Sequence, residues 1–247
     1  MVLATLTVAL AMGATCQVSS PAHAQALVEL YTSQGCSSCP PADQWLSQLD
    51  PGASSGVVPL ALHVGYWDYI GWKDPYARRE FNARQEWLAR LNRSASVYTP
   101  GVFLQAHETP RWRDTGSFSA AVRAINAKPA RAKIDLAVER QSADTLQVRV
   151  ETTLSADARA RDARLFVALT ESGLDTKVKA GENNGATLRN DHVARAWSGP
   201  LPLGKQSVAL VAPASAGGQG AIVAFVQDVG AGDVLQVVRL PLAACAP

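Results

Sequence analysis

The chain has 247 residues, 47% of them hydrophobic, and a formal net charge of +2. That length holds one large domain or two ordinary ones with real cores. Basic residues are interleaved with acids along the chain, which excludes a polybasic surface for nucleic acid or anionic membrane.

In chain order, residues 2–14 are apolar and uncharged, and a run of small residues ends in Ala22-His23-Ala24. This pattern predicts a secretory signal peptide over residues 1–24, cleaved after Ala24, although no Lys or Arg stands in its first part. The apolar run is too short to span a bilayer and no later segment is long enough, so a periplasmic or secreted protein without a membrane span is expected. Export places the chain where cysteines pair. Cleavage would leave Cys36 and Cys39 as a close pair and Cys245 as an odd thiol, free, intermolecular or closing on the pair.

The stretch 27–32 (LVELYT) reads as a strand, and Ser33-Gln34-Gly35 breaks it. Pro40 and Pro41 suit the first turn of a helix over 42–49, which Pro51-Gly52 stops. A buried strand follows at 57–64, then a helix over 76–91 with Asp74, before Pro75, as its cap. Thr99-Pro100 precedes a strand at 101–105, 111–115 reads as a short edge strand, and Ser117 caps a helix over 117–127. The alternation β-α-β-α-β-β-α predicts an α/β domain with a mixed sheet over residues 25–128. Past Lys128-Pro129-Ala130 the helical pattern stops. Strands are predicted at 134–139, 146–151, 165–170, 207–211, 222–227 and 235–240, with turns at Gly199-Pro200 and Ala216-Gly217-Gly218. This spacing predicts a mostly antiparallel β-sandwich over residues 129–247.

Cys36-Ser37-Ser38-Cys39 follows a strand and opens a helix. There the positive end of the helix dipole lowers the thiol pKa of Cys36 and raises the fraction of attacking thiolate. Cys39, deeper in the helix, is placed to resolve a mixed disulfide.

The segment VELYTSQGCSSCPPAD, with YTPGVFLQ far downstream, resembles the thioredoxin/glutaredoxin superfamily. The resemblance implies a cis Pro100 packed beside the dithiol and a Thr99 backbone that receives an incoming chain. Protein or small-molecule thiols and disulfides are the expected partners, and no cofactor is expected. At the position of the buried thioredoxin acid this chain has Leu30, and the neighbouring Glu29 faces the other way. Where glutaredoxins grip glutathione it has Ala106-His107-Glu108-Thr109. Nearly the whole mature chain is similar to a family of exported bacterial proteins catalogued as domain of unknown function 1223. That similarity is carried by YTSQGCSSCPPAD, LHVGYWDYIGWKDP, YTPGVFLQ and GENNGATLRNDHVARAW.

The segment 63–74 lies at the carboxyl end of a strand, where α/β sheets place ligands. In a functional reading Tyr66, Trp67 and Trp72 wall the dithiol and Asp68 relays a proton; otherwise the aromatics are packing. His63 is expected to be a packed, hydrogen-bonded imidazole, although Cys36, Cys39, His63 and His107 would make a conventional ligand set for zinc or copper. Asn184-Gly185 predicts a hairpin, either a recognition surface or an ordinary part of the sandwich. The leading expectation is a thiol–disulfide oxidoreductase in which Cys36 attacks, Cys39 resolves and Thr99-Pro100 shapes the groove. The alternatives are an exported binding module stapled by the CxxC disulfide, or a metal-handling protein.

Overall fold

A computed structural model describes residues 16–49, 51, 55–158, 160–212 and 219–245. The apolar stretch 2–14, Gly52 and the 216–218 turn lie outside these residues. The chain forms β1 (Cys16–Ser19), β2 (Ala26–Thr32), α1 (Pro40–Ser47), β3 (Val57–His63), α2 (Arg79–Leu91), β4 (Gly101–Leu104), β5 (His107–Glu108) and α3 (Thr115–Asn126). There follow β6 (Ala132–Arg140), β7 (Thr145–Leu154), β8 (Ala163–Glu171), β9 (Leu174–Lys177), β10 (Thr187–Asn190), β11 (Val193–Leu201), β12 (Gly204–Val211), β13 (Gly220–Asp228) and β14 (Val234–Pro241).

The first half is a thioredoxin-like α/β unit: β2 runs parallel to β3 and antiparallel to β4, which pairs with β5. The second half is largely antiparallel; β9 and β10 pair as a separate hairpin, and its other strands are shared between two layers. β1, β6, β7 and β12 form one sheet, while β14, β13, β8 and β11 continue the first half's sheet into one of eight strands. The join is β11, which meets β3 in parallel at Val193↔Ala61.

Period-two alternation explains how one sheet serves three cores. In β8 and β13, Leu165, Val167, Leu169, Ile222, Ala224 and Val226 face the four-stranded sheet. Their neighbours Phe166, Ala168, Val223 and Phe225 join the core under α2, with Phe81 and Leu88. On the opposite face of β2, Val28 and Leu30 pack with Leu46 of α1 and Phe118 and Val122 of α3.

Several boundaries depart from the sequence expectation. α2 starts at Arg79, because Asp74 folds residues 74–77 into a turn, accepting from Tyr76 N at 2.9 Å and, by its carbonyl, from Ala77 N at 3.2 Å. The expected strand 111–115 is a turn: Trp112 leaves the sheet to pack on Trp45, ring centroids 5.0 Å apart. Asp114, not Ser117, caps α3, accepting from Ser117 N at 3.1 Å. The odd thiol has a partner: Cys245 is bonded to Cys16. Residues 16–24, which the sequence reading gives to a removed leader, are part of the fold, with β1 paired to β6 from Cys16↔Val138 to Ser19↔Asp135.

Candidate active site

The dithiol sits where β2 hands over to α1. After Thr32 the chain turns through Ser33–Cys36, with Cys36 N donating to Ser33 O at 3.1 Å, and Cys39 caps α1. Pro40 and Pro41 sacrifice no helical bond, because first-turn amides have no partner within the helix. Cys36 and Cys39 are joined as a disulfide.

The end of β4 lies at the same edge of the sheet. Tyr31 pairs with Gly101, which sets Thr99-Pro100, joined by a cis peptide bond, level with the start of the dithiol turn. Trp67 spans the two. Its Nε1 donates to Thr99 Oγ1 at 2.7 Å, and its Cβ would stand 3.1 Å from any Cβ at position 35, so Gly35 is what lets it approach. Trp72 Nε1 donates to Gln34 Oε1 at 3.2 Å, while the Tyr66 hydroxyl lies between Gln85, to whose Oε1 it donates at 3.2 Å, and the Thr99 side chain. Two of the three predicted wall aromatics therefore bear on the dithiol turn.

Cys36 is 1% exposed and Cys39 is fully buried. Part of that cover comes from the second half of the chain. The hairpin β9–β10 carries residues 178–186 over the turn, where Asn183 Nδ2 donates to Gln34 O at 2.9 Å and to Cys36 O at 3.0 Å. Glu182 Oε2 accepts from Ser37 N at 2.8 Å, and that amide holds the Glu182 carboxyl below the usual range. Gln34 Nε2 is held in turn by Asn190 Oδ1 at 2.9 Å. The predicted hairpin exists, and its loop packs on the dithiol rather than inside the sandwich.

Beneath the turn lies a buried polar layer. Asp74 Oδ2 accepts from Gln34 N at 2.8 Å and meets His63 Nδ1 at 2.7 Å, both side chains fully buried. Burial opposes both charges, yet each supports the other: His63 is raised and Asp74 lowered from their ordinary values. His63 is thus the hydrogen-bonded core imidazole that its strand predicts, and its Nε2 is buried without a hydrogen-bond partner. Asp43, on α1, is 7% exposed, and burial pushes its carboxyl up to about 7 against the pull of His63 and Thr32.

The predicted site residues are distributed as follows. Cys36, Cys39, Thr99 and Pro100 lie at one end of the sheet. Asp68 Oδ1 accepts from Asp74 N at 3.2 Å, so its connection to the dithiol turn runs through Asp74 and Gln34. Glu29, facing away, forms a buried ion pair with Arg84 Nη2 at 2.6 Å. His107 lies on β5, with β4 and β2 between it and the strand of His63, and among the described residues no group of three or more donors gathers for a metal. Asp43, Gln34, Glu182 and Asn183 were not predicted. Asp43 carried one signal, its place four residues after Cys39; Glu182 and Asn183 carried another, the turn-rich segment at Asn184-Gly185 read as a hairpin or recognition surface; Gln34 was read only as part of the break after the first strand.

The family described as "Protein of unknown function (DUF1223)" matches residues 27–227. Among solved structures, the X-ray structure of protein AGR_C_4864 from Agrobacterium tumefaciens is similar at a TM-score of 0.62 and 23% identity, over 89% of this chain and 95% of that one. HBP35 of Porphyromonas gingivalis gives a TM-score of 0.66 at 12% identity, over 92% of this chain and 78% of that one. No curated protein matches the chain. These likenesses carry the fold, and a CxxC disulfide in a thioredoxin-like fold is consistent with the active site of a thiol–disulfide oxidoreductase.

Proposed function

Given that the chain belongs to the DUF1223 family, we propose that it is an exported thiol–disulfide oxidoreductase in which Cys36 exchanges with partner thiols or disulfides and Cys39 resolves the mixed disulfide. The observation that carries this is the bond between Cys36 and Cys39 at the start of α1. Once reduced, the helix terminus favours the Cys36 thiolate. Thr99-Pro100, bridged to the dithiol turn by Trp67, supports a groove for an extended partner segment. Export is supported by the two disulfides, Cys36–Cys39 and Cys16–Cys245, which persist in oxidising compartments. Among the described residues no helix is long and apolar enough to cross a membrane.

The test is exchange with glutathione buffers, followed by alkylation and mass. The native pair should equilibrate at potentials typical of exchange catalysts. Cys36→Ser should abolish turnover, and Cys39→Ser should accumulate mixed disulfides. Full activity in Cys36→Ser would end this assignment. The burial of Cys36 under residues 182–183 favours a second reading, a structural staple in a binding module. A staple would stay closed until strongly reducing conditions.

A further inference from the structure

Resolution needs a proton to leave Cys39, and Cys39 is fully buried. Three features converge on one neighbour. Asp43 stands one helical turn beyond Cys39 and donates its backbone N–H to Cys39 O at 3.1 Å, so the two side chains share a face of α1. It is buried and, among the described residues, forms no salt bridge; the buried acids Glu29, Asp74 and Glu171 are ion-paired, and Asp228 accepts from the amides of Gly230 and Ala231 in its own turn. Asp43 also lines a cleft between α1 and β10 with Pro40, Gln44, Arg189 and Asp191.

We propose that Asp43, backed by the His63–Asp74 pair, takes the proton from Cys39 when Cys39 attacks and returns it when Cys39 leaves. This rests on the oxidoreductase reading above. In the forward direction the Cys36 thiolate attacks a partner disulfide, which releases one partner thiolate and leaves a bond between Cys36 and the partner. The Cys39 thiol then gives its proton to the Asp43 carboxylate, and its sulfur attacks Cys36 Sγ. The Cys36–Cys39 bond forms, the bond from Cys36 to the partner breaks, and the second partner sulfur leaves with the electron pair. The partner has gained two electrons and the dithiol has lost them. Asp43 then releases the proton to solvent. In reverse, a partner thiolate attacks Cys36, and Asp43 protonates the departing Cys39.

The charged surroundings fit a group that changes state. From β3 the His63 ring bears on Asp43 and pulls its acidity downward, while Asp74, beyond the ring, pushes it up. Arg195 on β11 opposes the charge on His63, and its guanidinium lies 5.0 Å from the Tyr76 ring, which meets His63 edge-on. Arg189 and Asp191 face Asp43 across the cleft. A carboxyl poised about 7 is suited to exchange a proton at physiological pH.

The experiment mixes reduced protein with one equivalent of 5,5′-dithiobis(2-nitrobenzoate). Attack by Cys36 releases the first coloured thiolate, and resolution by Cys39 releases the second. In the native chain the second phase should bend about pH 7, where Asp43 titrates. In Asp43→Asn the bend should vanish and the phase slow by about tenfold or more, with the first phase unchanged within about twofold. His63→Gln removes the cation that pulls Asp43 downward, so the bend should move to higher pH. A second phase in Asp43→Asn with the native rate and bend overturns the relay and leaves the oxidoreductase reading standing. So does a native profile that follows thiol titration alone, an outcome that needs no variant to fold. A first phase with no second overturns both.

Discussion

Folded, Asp43 keeps its proton up to about pH 7; its ordinary value is 3.8. Between those limits the unfolded chain has lost a proton that the folded chain still holds, so stability falls as pH rises. At about 1.4 kcal/mol per unit the loss is about 4 kcal/mol at most. Asp43→Asn should therefore unfold at higher urea than the native chain at pH 8 and at nearly the same urea at pH 3.5. Equal midpoints at both pH values would show that burial does not strain this carboxyl. Asp74 has the opposite sign: its lowered value contributes stability above its ordinary 3.8, and that contribution is lost as pH falls through its folded value. His63, raised from 6.5, contributes below that value and loses the contribution as pH rises through its folded value. Their pairing is thus strongest between those ordinary values. Asp74→Asn should cost about 3–5 kcal/mol at pH 5.5 by urea unfolding, since it leaves a buried partner uncompensated. The penalty should shrink as pH falls through the lowered folded value of Asp74, where the native carboxyl also becomes protonated. Opposed slopes from acids in one polar layer separate a group that works by changing state from one that holds the turn in place.

The 178–186 loop covers Cys36 by hydrogen bonds to backbone atoms, two from Asn183 and one to Glu182. Each is worth about 1 kcal/mol net, so Asn183→Ala should raise the open fraction, and with it the rate of disulfide reduction by a small thiol, about tenfold or more. An unchanged rate in a timed alkylation assay would mean that the loop is no barrier. The elements around the site differed in how plainly the sequence announced them. Strands β2, β3, β6, β7, β8 and β13 were legible, because burial on one or both faces writes continuous or alternating apolar runs. β11 was not: it contains Gly199-Pro200, carries Arg195 among its apolar residues and shifts register twice against β8. β9 and β10 are four residues each and half exposed, too short for a pattern to emerge. Cys36, Cys39 and Thr99-Pro100 were legible as local motifs. Glu182 and Asn183 were not, because they join the site through a long-range contact with β2's turn that no local spacing encodes.

At the scale of the molecule, the second half completes the first half's sheet. β11 covers the open edge of β3, and β8, β13 and β14 extend it, so the aromatic cluster of Phe166, Trp197 and Phe225 surrounds Arg84 of α2. The segment before β2 is equally committed: Ser20 N donates to Ile134 O at 2.8 Å, and Gln236 Nε2 to Pro21 O and His23 O at 2.9 and 3.0 Å. Cleavage after Ala24 would discard these bonds together with Cys16. On the export proposed above, the mature protein should retain Cys16, and its intact mass should place any processing before that residue; a mature chain starting at Gln25 would contradict this. The sequence could not signal that use of residues 16–19, since a short alternating strand beside an apolar run reads as part of a leader. The bond from Cys16 to Cys245 spans 229 residues, and Cys245→Ser should lower stability by up to about 5 kcal/mol in urea unfolding. It also gives the chain the connectivity of a ring. During synthesis Cys16 waits for a residue 229 positions further along the chain before its staple can close. Once closed, a single protease cut between them leaves both pieces in one molecule, and they separate only in reductant.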